Sequence, residues 1–298
     1  LKKETPVSAV DAMLTSLTLS TISQYSRPLK LWWQFCQQNR ENSFFPSTVL
    51  DFLGFRSYSS LNEYNSSLNT YSSAISLISS ADIGSHPLIK RFFKGVAALK
   101  PPRPRYDFTW DPSSVILYLA RLYPYSTLSL ELISKKLVTL FALTTAQRMQ
   151  TLAAIQRSNI VIADSVIIRI PARLKTSGIG RAQPMLVFKP FLEKPELCLF
   201  SLINLYLERT ADFRRLNCDA FFISYCKPYS SVSSQTLGRW VKSVLEASGI
   251  DVSIFSHSTR HASTSLAASR GININEIRRT AGWSKSSDVF ARFYNRPI

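Results

Sequence analysis

The sequence predicts a mainly α fold with a small antiparallel β-sheet, divided into a helical first domain and a mixed α/β second domain. Three observations predict it. The chain has 298 residues, beyond the usual reach of one hydrophobic core. Apolar residues recur at helical spacing from about position 6 to 99 and again from 112, and this pattern gives way to short β-rich runs only between 160 and 188. Between the two helical regions lies Lys100-Pro101-Pro102-Arg103-Pro104-Arg105, a break that follows because proline lacks an N–H and restrains its predecessor. The domains are therefore placed at 1–100 and 109–298, with 101–108 as a basic, proline-rich linker.

In the first domain, Thr21 with Gln24 forms a capping-box pattern, followed at helical spacing by Ile22, Tyr25, Leu29, Trp32 and Cys36, with Pro28 as an expected kink. A second helix is expected after Pro46. The serine-rich stretch after Arg56 resembles a flexible linker in composition alone. Its apolar residues argue for a helix: Leu61, Tyr64, Leu68, Tyr71, Ile75 and Ile78 step by three and four, leaving an opposite face of Ser, Asn and Thr. Two readings of that face stand. It is an ordinary solvent face, or Asn65, Ser66, Asn69 and Ser73 approach a DNA backbone closely and donate hydrogen bonds to phosphate oxygens.

In the second domain, helical patterns cover 112–122 and 130–146, and strands are expected at Ile160 to Ala163, Ser165 to Ile170 and Met185 to Phe188. Helices return at Leu197 to Leu207, Thr236 to Ala247, and Thr259 to Ser269, the last stopped at Gly271. An Asn273-x-x-Glu276 capping box opens another, and a last short helix is expected to carry Val289, Phe290 and Phe293. No internal repeat is visible.

Hydrophobic residues at 45% exclude a disordered chain. The 36 Lys+Arg against 19 Asp+Glu leave a net charge of +17, the electrostatic footprint of a phosphate-backbone binder. Arg103 and Arg105 in the linker fit a strap along such a backbone, and a plain solvated linker fits equally. Cys36, Cys198, Cys218 and Cys226 show no zinc-site spacing and read as reduced interior residues of an intracellular protein. No metal site is expected. Neither a signal peptide nor an apolar run of bilayer length occurs, so no membrane partner is expected. Because the chain starts at Leu1 rather than Met, it is expected to be a piece of a longer polypeptide.

The chemistry-bearing residues emerge as an ordered set. His257-Ser258-Thr259-Arg260 places a histidine and an arginine on one face of a helix start, a weak signal alone in a chain this basic. Arg148 precedes it in Thr144-Thr145-Ala146-Gln147-Arg148, and Lys175 lies in Arg173-Leu174-Lys175-Thr176-Ser177-Gly178. Gly282-Trp283 and Phe293-Tyr294-Asn295-Arg296 follow. This order, Arg, Lys, His-x-x-Arg, Trp, Tyr, resembles the signature of the tyrosine recombinase, or phage integrase, family. Pro101-Pro102-Arg103-Pro104-Arg105-Tyr106-Asp107, Ala281-Gly282-Trp283-Ser284 and Phe293-Tyr294-Asn295-Arg296-Pro297 are similar to recombinases of eukaryotic DIRS, Ngaro and Crypton mobile elements.

The resemblance implies a two-domain C-shaped clamp, with a helical core-binding domain before the catalytic domain. It implies a site-specific recombinase that cuts and religates double-stranded DNA through a 3′-phosphotyrosine, without metal, ATP or other cofactor, as a tetramer on two DNA sites in the nucleus. Non-cutting DNA binding and type IB topoisomerase-like relaxation are the alternatives. Guanidinium groups bind non-bridging oxygens in a planar fork without losing charge, which suits Arg148 and Arg260. Tyr294 needs a proton acceptor, His257, and the leaving 5′ oxygen needs a proton donor, Lys175. Trp283 stands where many relatives have His and can donate one N–H but shuttle no proton.

Where many relatives carry an acidic residue three positions after the first Arg, this chain has Thr151, so other contacts must position Arg148. His261, one residue and about 100° of helix beyond Arg260, is expected to face away into the domain interior. His86, before Pro87, is expected at a helix start. Only four residues follow Tyr294, and Pro297 discourages a further helix, so the docking helix of relatives is expected to be truncated or replaced.

Overall fold

The architecture is that of a computed structural model, which describes residues 8, 15–40, 45–59, 65–79, 82–101, 108–174, 177, 183–255, 259–284 and 290–298. The backbone gathers into two compact units, Leu1–Arg103 and Pro104–Ile298.

The first unit is helical: α1 (Leu19–Asn39), α2 (Pro46–Ser59), α3 (Asn65–Ser76) and α4 (Pro87–Leu99). Its N-cap is Thr18, whose hydroxyl accepts from the Thr21 N–H at 3.2 Å, one turn earlier than the expected Thr21 cap. The Thr18-x-x-Thr21 spacing satisfies the same orphan donors, so the helix extends to it. Helix α1 continues through a buried Pro28. The core is built on aromatic edges, with Trp32 and Phe52 at 5.3 Å and Phe52 and Tyr71 at 5.6 Å between ring centroids. Of the apolar stripe, Leu68, Tyr71 and Ile75 are buried, while Ile78 lies past the end of α3 and is 39% exposed. Asn69 and Ser73 are exposed on the opposite face. Leu61 and Tyr64, the side chains of Asn65 and Ser66, and both Arg103 and Arg105 fall outside the described residues. His86 is the N-cap residue of α4, with Pro87 in its first turn.

The second unit opens with α5 (Pro112–Arg121), α6 (Leu130–Thr145) and α7 (Met149–Ala153). Strands β1 (Ile160–Ile162), β2 (Val166–Arg169) and β3 (Met185–Phe188) form one antiparallel sheet in the order β1-β2-β3. Helices α8 (Leu199–Thr210), α9 (Ser234–Ala247), α10 (Val252–Phe255), α11 (Thr259–Ser269) and α12 (Ile274–Thr280) complete it. The region of the expected last helix holds a π-helical turn at Phe290–Tyr294, where the Asn295 N–H reaches back to the Phe290 carbonyl at 2.8 Å. Val289 lies outside the described residues, as does the side chain of Phe293. Helix α6 is the spine, because Ile133, Leu137, Val138 and Phe141 are all fully buried and it packs against α8, α9 and α11.

The cysteine expectation needs correcting. Cys36 and Cys198 are buried, but Cys218 is half-buried and Cys226 exposed, because Cys226 belongs to a surface turn between the bridged residues Ile223 and Ser231. Among the described residues, no helix is long and apolar enough to cross a membrane, and no group of His, Cys, Asp or Glu is arranged to hold a metal ion.

Lys136 is a buried charge. It is fully enclosed, and its ammonium donates to the Leu119 and Leu122 carbonyls at 2.7 Å each, so it caps the end of α5. The Tyr125 ring lies 4.7 Å away. Burial pushes the amine down to about 8, opposed by the Glu196 carboxylate. Between about pH 8 and the ordinary lysine value of 10.5, the unfolded chain then holds a proton that the folded chain has released. Stability relative to Lys136→Met should therefore rise with pH across that window and be flat below it, as measured by urea unfolding at stepped pH. A difference that falls with pH would refute this environment.

Candidate active site

The site is assembled by four turns of backbone. Helix α6 ends at Ala146 in the left-handed region, φ 49°, strained for a residue with a Cβ. That reversal turns the chain into Gln147 and Arg148, and Arg148 becomes the N-cap residue of α7. Its carbonyl accepts from the Thr151 and Leu152 N–H groups at 2.8 and 3.1 Å, so the arginine is fixed through its backbone rather than by a carboxylate at position 151. Gln147, 7% exposed, donates through Nε2 to the Thr280 carbonyl at 2.6 Å and ties this turn to the end of α12.

Helix α12 is stopped by Gly282 at φ 69°, a conformation that favours glycine. Its N–H bonds to Arg279 and that of Trp283 to Arg278, the paired closure of a Schellman-type end, which delivers Trp283 beside the N-terminal turn of α11. Arg260, in that turn, is only 7% exposed. One guanidinium nitrogen, Nη2, donates to the Ala281 carbonyl at 2.5 Å, and the group lies over the Trp283 ring at 4.4 Å. Nε and Nη1 of Arg260 are buried with no hydrogen-bond partner among the described residues. The fork is thus anchored at one nitrogen and open at two others.

The C-terminal segment closes the site. Ser265 Oγ donates to the Tyr294 carbonyl at 2.7 Å and accepts from the Arg296 N–H at 3.1 Å, while Thr109 N–H donates to the Pro297 carbonyl at 2.8 Å. Tyr294 is stacked on His261 at 4.2 Å, with Trp283 at 4.8 Å and the Arg260 guanidinium at 5.4 Å from its ring. A cavity of about 210 Å³ is lined by Gln147, Arg148, Arg260, His261 and Tyr294 together with α9 residues Gly238 and Val241.

Of the six residues singled out from the sequence, the structure brings Arg148, Arg260 and Tyr294 to this cavity and packs Trp283 beneath it. Trp283 Nε1 is buried and has no partner among the described residues. Lys175 and His257 lie outside the described residues. The β2–β3 connection that contains Lys175 is pinned at its base, where the Leu174 N–H donates to Ser177 Oγ at 2.8 Å. His261 corrects the sequence reading: it faces the cavity, not the interior. The missed signal is its i,i+4 partner Ser265, since two residues one turn apart on α11 grip the same Tyr294.

Fold and site define a class, a mainly helical protein with a small antiparallel sheet that sets two arginines beside a tyrosine. The phage integrase family profile matches residues 119–297. The chain belongs to that family, the tyrosine recombinases, which are DNA strand transferases. Solved structures share the fold. The Tn1549 transposon integrase in complex with transposon right end DNA superposes with TM-score 0.59 at 12% identity, covering 95% of this chain and 92% of that one. A lambda integrase tetramer bound to a Holliday junction gives 0.55 at 15% identity, covering 100% and 83%. XerH recombinase in a post-cleavage complex with palindromic difH substrate gives 0.59 at 11% identity, covering 90% and 74%. No curated protein sequence matches the chain.

The electrostatics predict an anion here. Burial and, after it, the neighbouring Arg148 charge lower the Arg260 pKa to about 10, with Tyr294 acting the other way. A charge desolvated beside a like charge costs free energy that a bound anion returns. Vanadate or phosphate should therefore stabilise the folded chain, by about 2.7 kcal/mol at a hundred times its Kd, and this stabilisation should vanish in Arg148→Met. Thermal unfolding against anion concentration measures it; equal stabilisation of both proteins would show that the cavity is not an anion site.

Proposed function

We propose that this chain is a site-specific recombinase of a mobile element, which cuts and rejoins double-stranded DNA through a 3′-phosphotyrosine intermediate. The observation that carries the reading is the meeting of Arg148, Arg260 and Tyr294 at one cavity. In this mechanism the open Nε and Nη1 donors of Arg260, with the Arg148 guanidinium, hold the non-bridging oxygens of a DNA phosphate. They are strongest where negative charge grows in the transition state. Tyr294 Oη attacks phosphorus and forms the phosphotyrosine bond as the bond to the 5′ oxygen breaks. The phenol proton passes to His257, and Lys175 protonates the leaving oxygen. Both lie outside the described residues and take these roles from the family resemblance. Trp283 supports the Arg260 plane from below. Because the ester energy is kept in the phosphotyrosine, rejoining needs neither ATP nor a metal ion.

The same reading assigns 1–100 to DNA core binding, 109–298 to catalysis and 101–108 to a basic linker, the two domains closing around DNA as a C-shaped clamp. Asn69 and Ser73, exposed on α3, together with Asn65, Ser66, Arg103 and Arg105, are the proposed backbone contacts. A net charge of +17 supports a nucleic-acid partner. The affiliation with DIRS, Ngaro or Crypton elements rests on the sequence resemblance and carries the nuclear location with it. The known transposon integrase and the lambda integrase tetramer on a Holliday junction support the mobile-element origin and a tetramer on two sites.

Nicked suicide duplexes carrying the element's own terminal DNA test this. The chain should become covalently joined to DNA, Tyr294→Phe should form no adduct while binding DNA normally, and Arg260→Ala should slow adduct formation by about 10²–10³. Products that depend on two sites mark recombination, whereas relaxation of a single supercoiled plasmid marks a topoisomerase. Binding of the duplexes without any adduct would leave a non-cutting DNA-binding protein.

A further inference from the structure

Arg260 and His261 are adjacent at the start of α11, and both serve the cavity, but in different ways. Arg260 turns its guanidinium under the site, fixed by the Ala281 carbonyl and the Trp283 ring. His261 presents the face of its imidazole to Tyr294, with centroids 4.2 Å apart and planes inclined by 25°. One turn later, Ser265 Oγ holds the backbone carbonyl of the same tyrosine at 2.7 Å. Two residues at i and i+4 on one helix therefore grip Tyr294, one at the ring and one at the main chain.

Tyr294 ends a five-residue π-helical turn, and the ring contacts described for it come from other segments, His261, Trp283 and Arg260. Its hydroxyl sweeps a wide arc unless the ring is clamped, and a nucleophile must sit within a narrow range of approach. On one side, Trp283 meets the ring at 4.8 Å and 54°, an oblique contact that leaves rotation open. The near-parallel imidazole is the planar support.

We propose that His261 is a positioning residue for the nucleophile: its ring is the platform on which the Tyr294 phenol is stacked, so that the hydroxyl is held at the cavity lined by Arg148 and Arg260. The inference rests on the reading of Tyr294 as nucleophile. Stacking also decides what His261 does not do. The imidazole nitrogens point outward in the ring plane, and the phenol oxygen lies in the plane of the neighbouring ring, so two near-parallel rings are badly placed to share a proton. The action of His261 is steric and dispersive, and a ring without nitrogen should replace it.

Single-turnover cleavage of nicked suicide duplexes by the full chain tests this with His261→Phe, which keeps a stacking ring, and His261→Leu, which fills the space without one. At saturating DNA the leucine variant should be about tenfold slower, the size expected for one aromatic pair, with DNA affinity and unfolding temperature unchanged. The phenylalanine variant should cleave close to the wild-type rate. Should His261→Leu fail to fold, His261→Asn takes its place, retaining polarity without a ring, and the same order of rates is expected. Equal slowing of the phenylalanine and ringless variants would overturn the proposal, since the nitrogen and not the ring would then matter. So would wild-type rates in both. Absence of any adduct with the wild-type chain would overturn the nucleophile reading itself, and this inference with it.

Discussion

A guanidinium group stripped of water beside a second arginine is unfavourable by itself, and the second unit is organised around keeping Arg260 in that position. Its plane rests on Trp283, one nitrogen is spent on the Ala281 carbonyl, and Nε and Nη1 are left without partners among the described residues. Among the described residues nothing satisfies those donors, an arrangement suited to an anionic ligand. The tyrosine is brought to the same place by hydrogen bonds to α11 rather than by a rigid element of its own.

The supports of the site are backbone devices, and each joins segments far apart in sequence. Left-handed Ala146 aims Arg148, the Gln147 side chain binds that turn to α12, and Gly282 sends Trp283 under Arg260. Thr109 and Pro297 tie the start of the unit to its end. A change in any one should reach the others, because Arg148, Arg260 and Tyr294 lie far apart in sequence and these links help bring them together. The spine α6 gives them a common rigid base, since it is buried along its length and packs on α11 directly.

Much of this was legible in the sequence where local physics dominates. The strand Met185–Phe188 and the helix Thr259–Ser269 lie where periodicity and the Gly271 stop place them. The stripe stepping by three and four identified α3 despite its serine-rich composition. Local reasoning failed where tertiary contacts decide. Helix α1 is capped by Thr18 because an equivalent hydroxyl was available one turn upstream. The burial of Lys136 is set by two carbonyls at the end of α5 that take its ammonium as donor, a contact between segments that spacing along the chain does not reveal. Helical geometry turned His261 away from Arg260 correctly, but the cavity wraps around α11, so turning away still faces Tyr294.

A crystal structure of the chain with nicked DNA and vanadate examines the convergence directly. Vanadium should bridge Tyr294 Oη and the DNA hydroxyl, with its equatorial oxygens about 3 Å from Arg148 and from Nε or Nη1 of Arg260. Vanadate bound through another side chain, or either guanidinium out of hydrogen-bond reach of it, would refute the shared phosphate site.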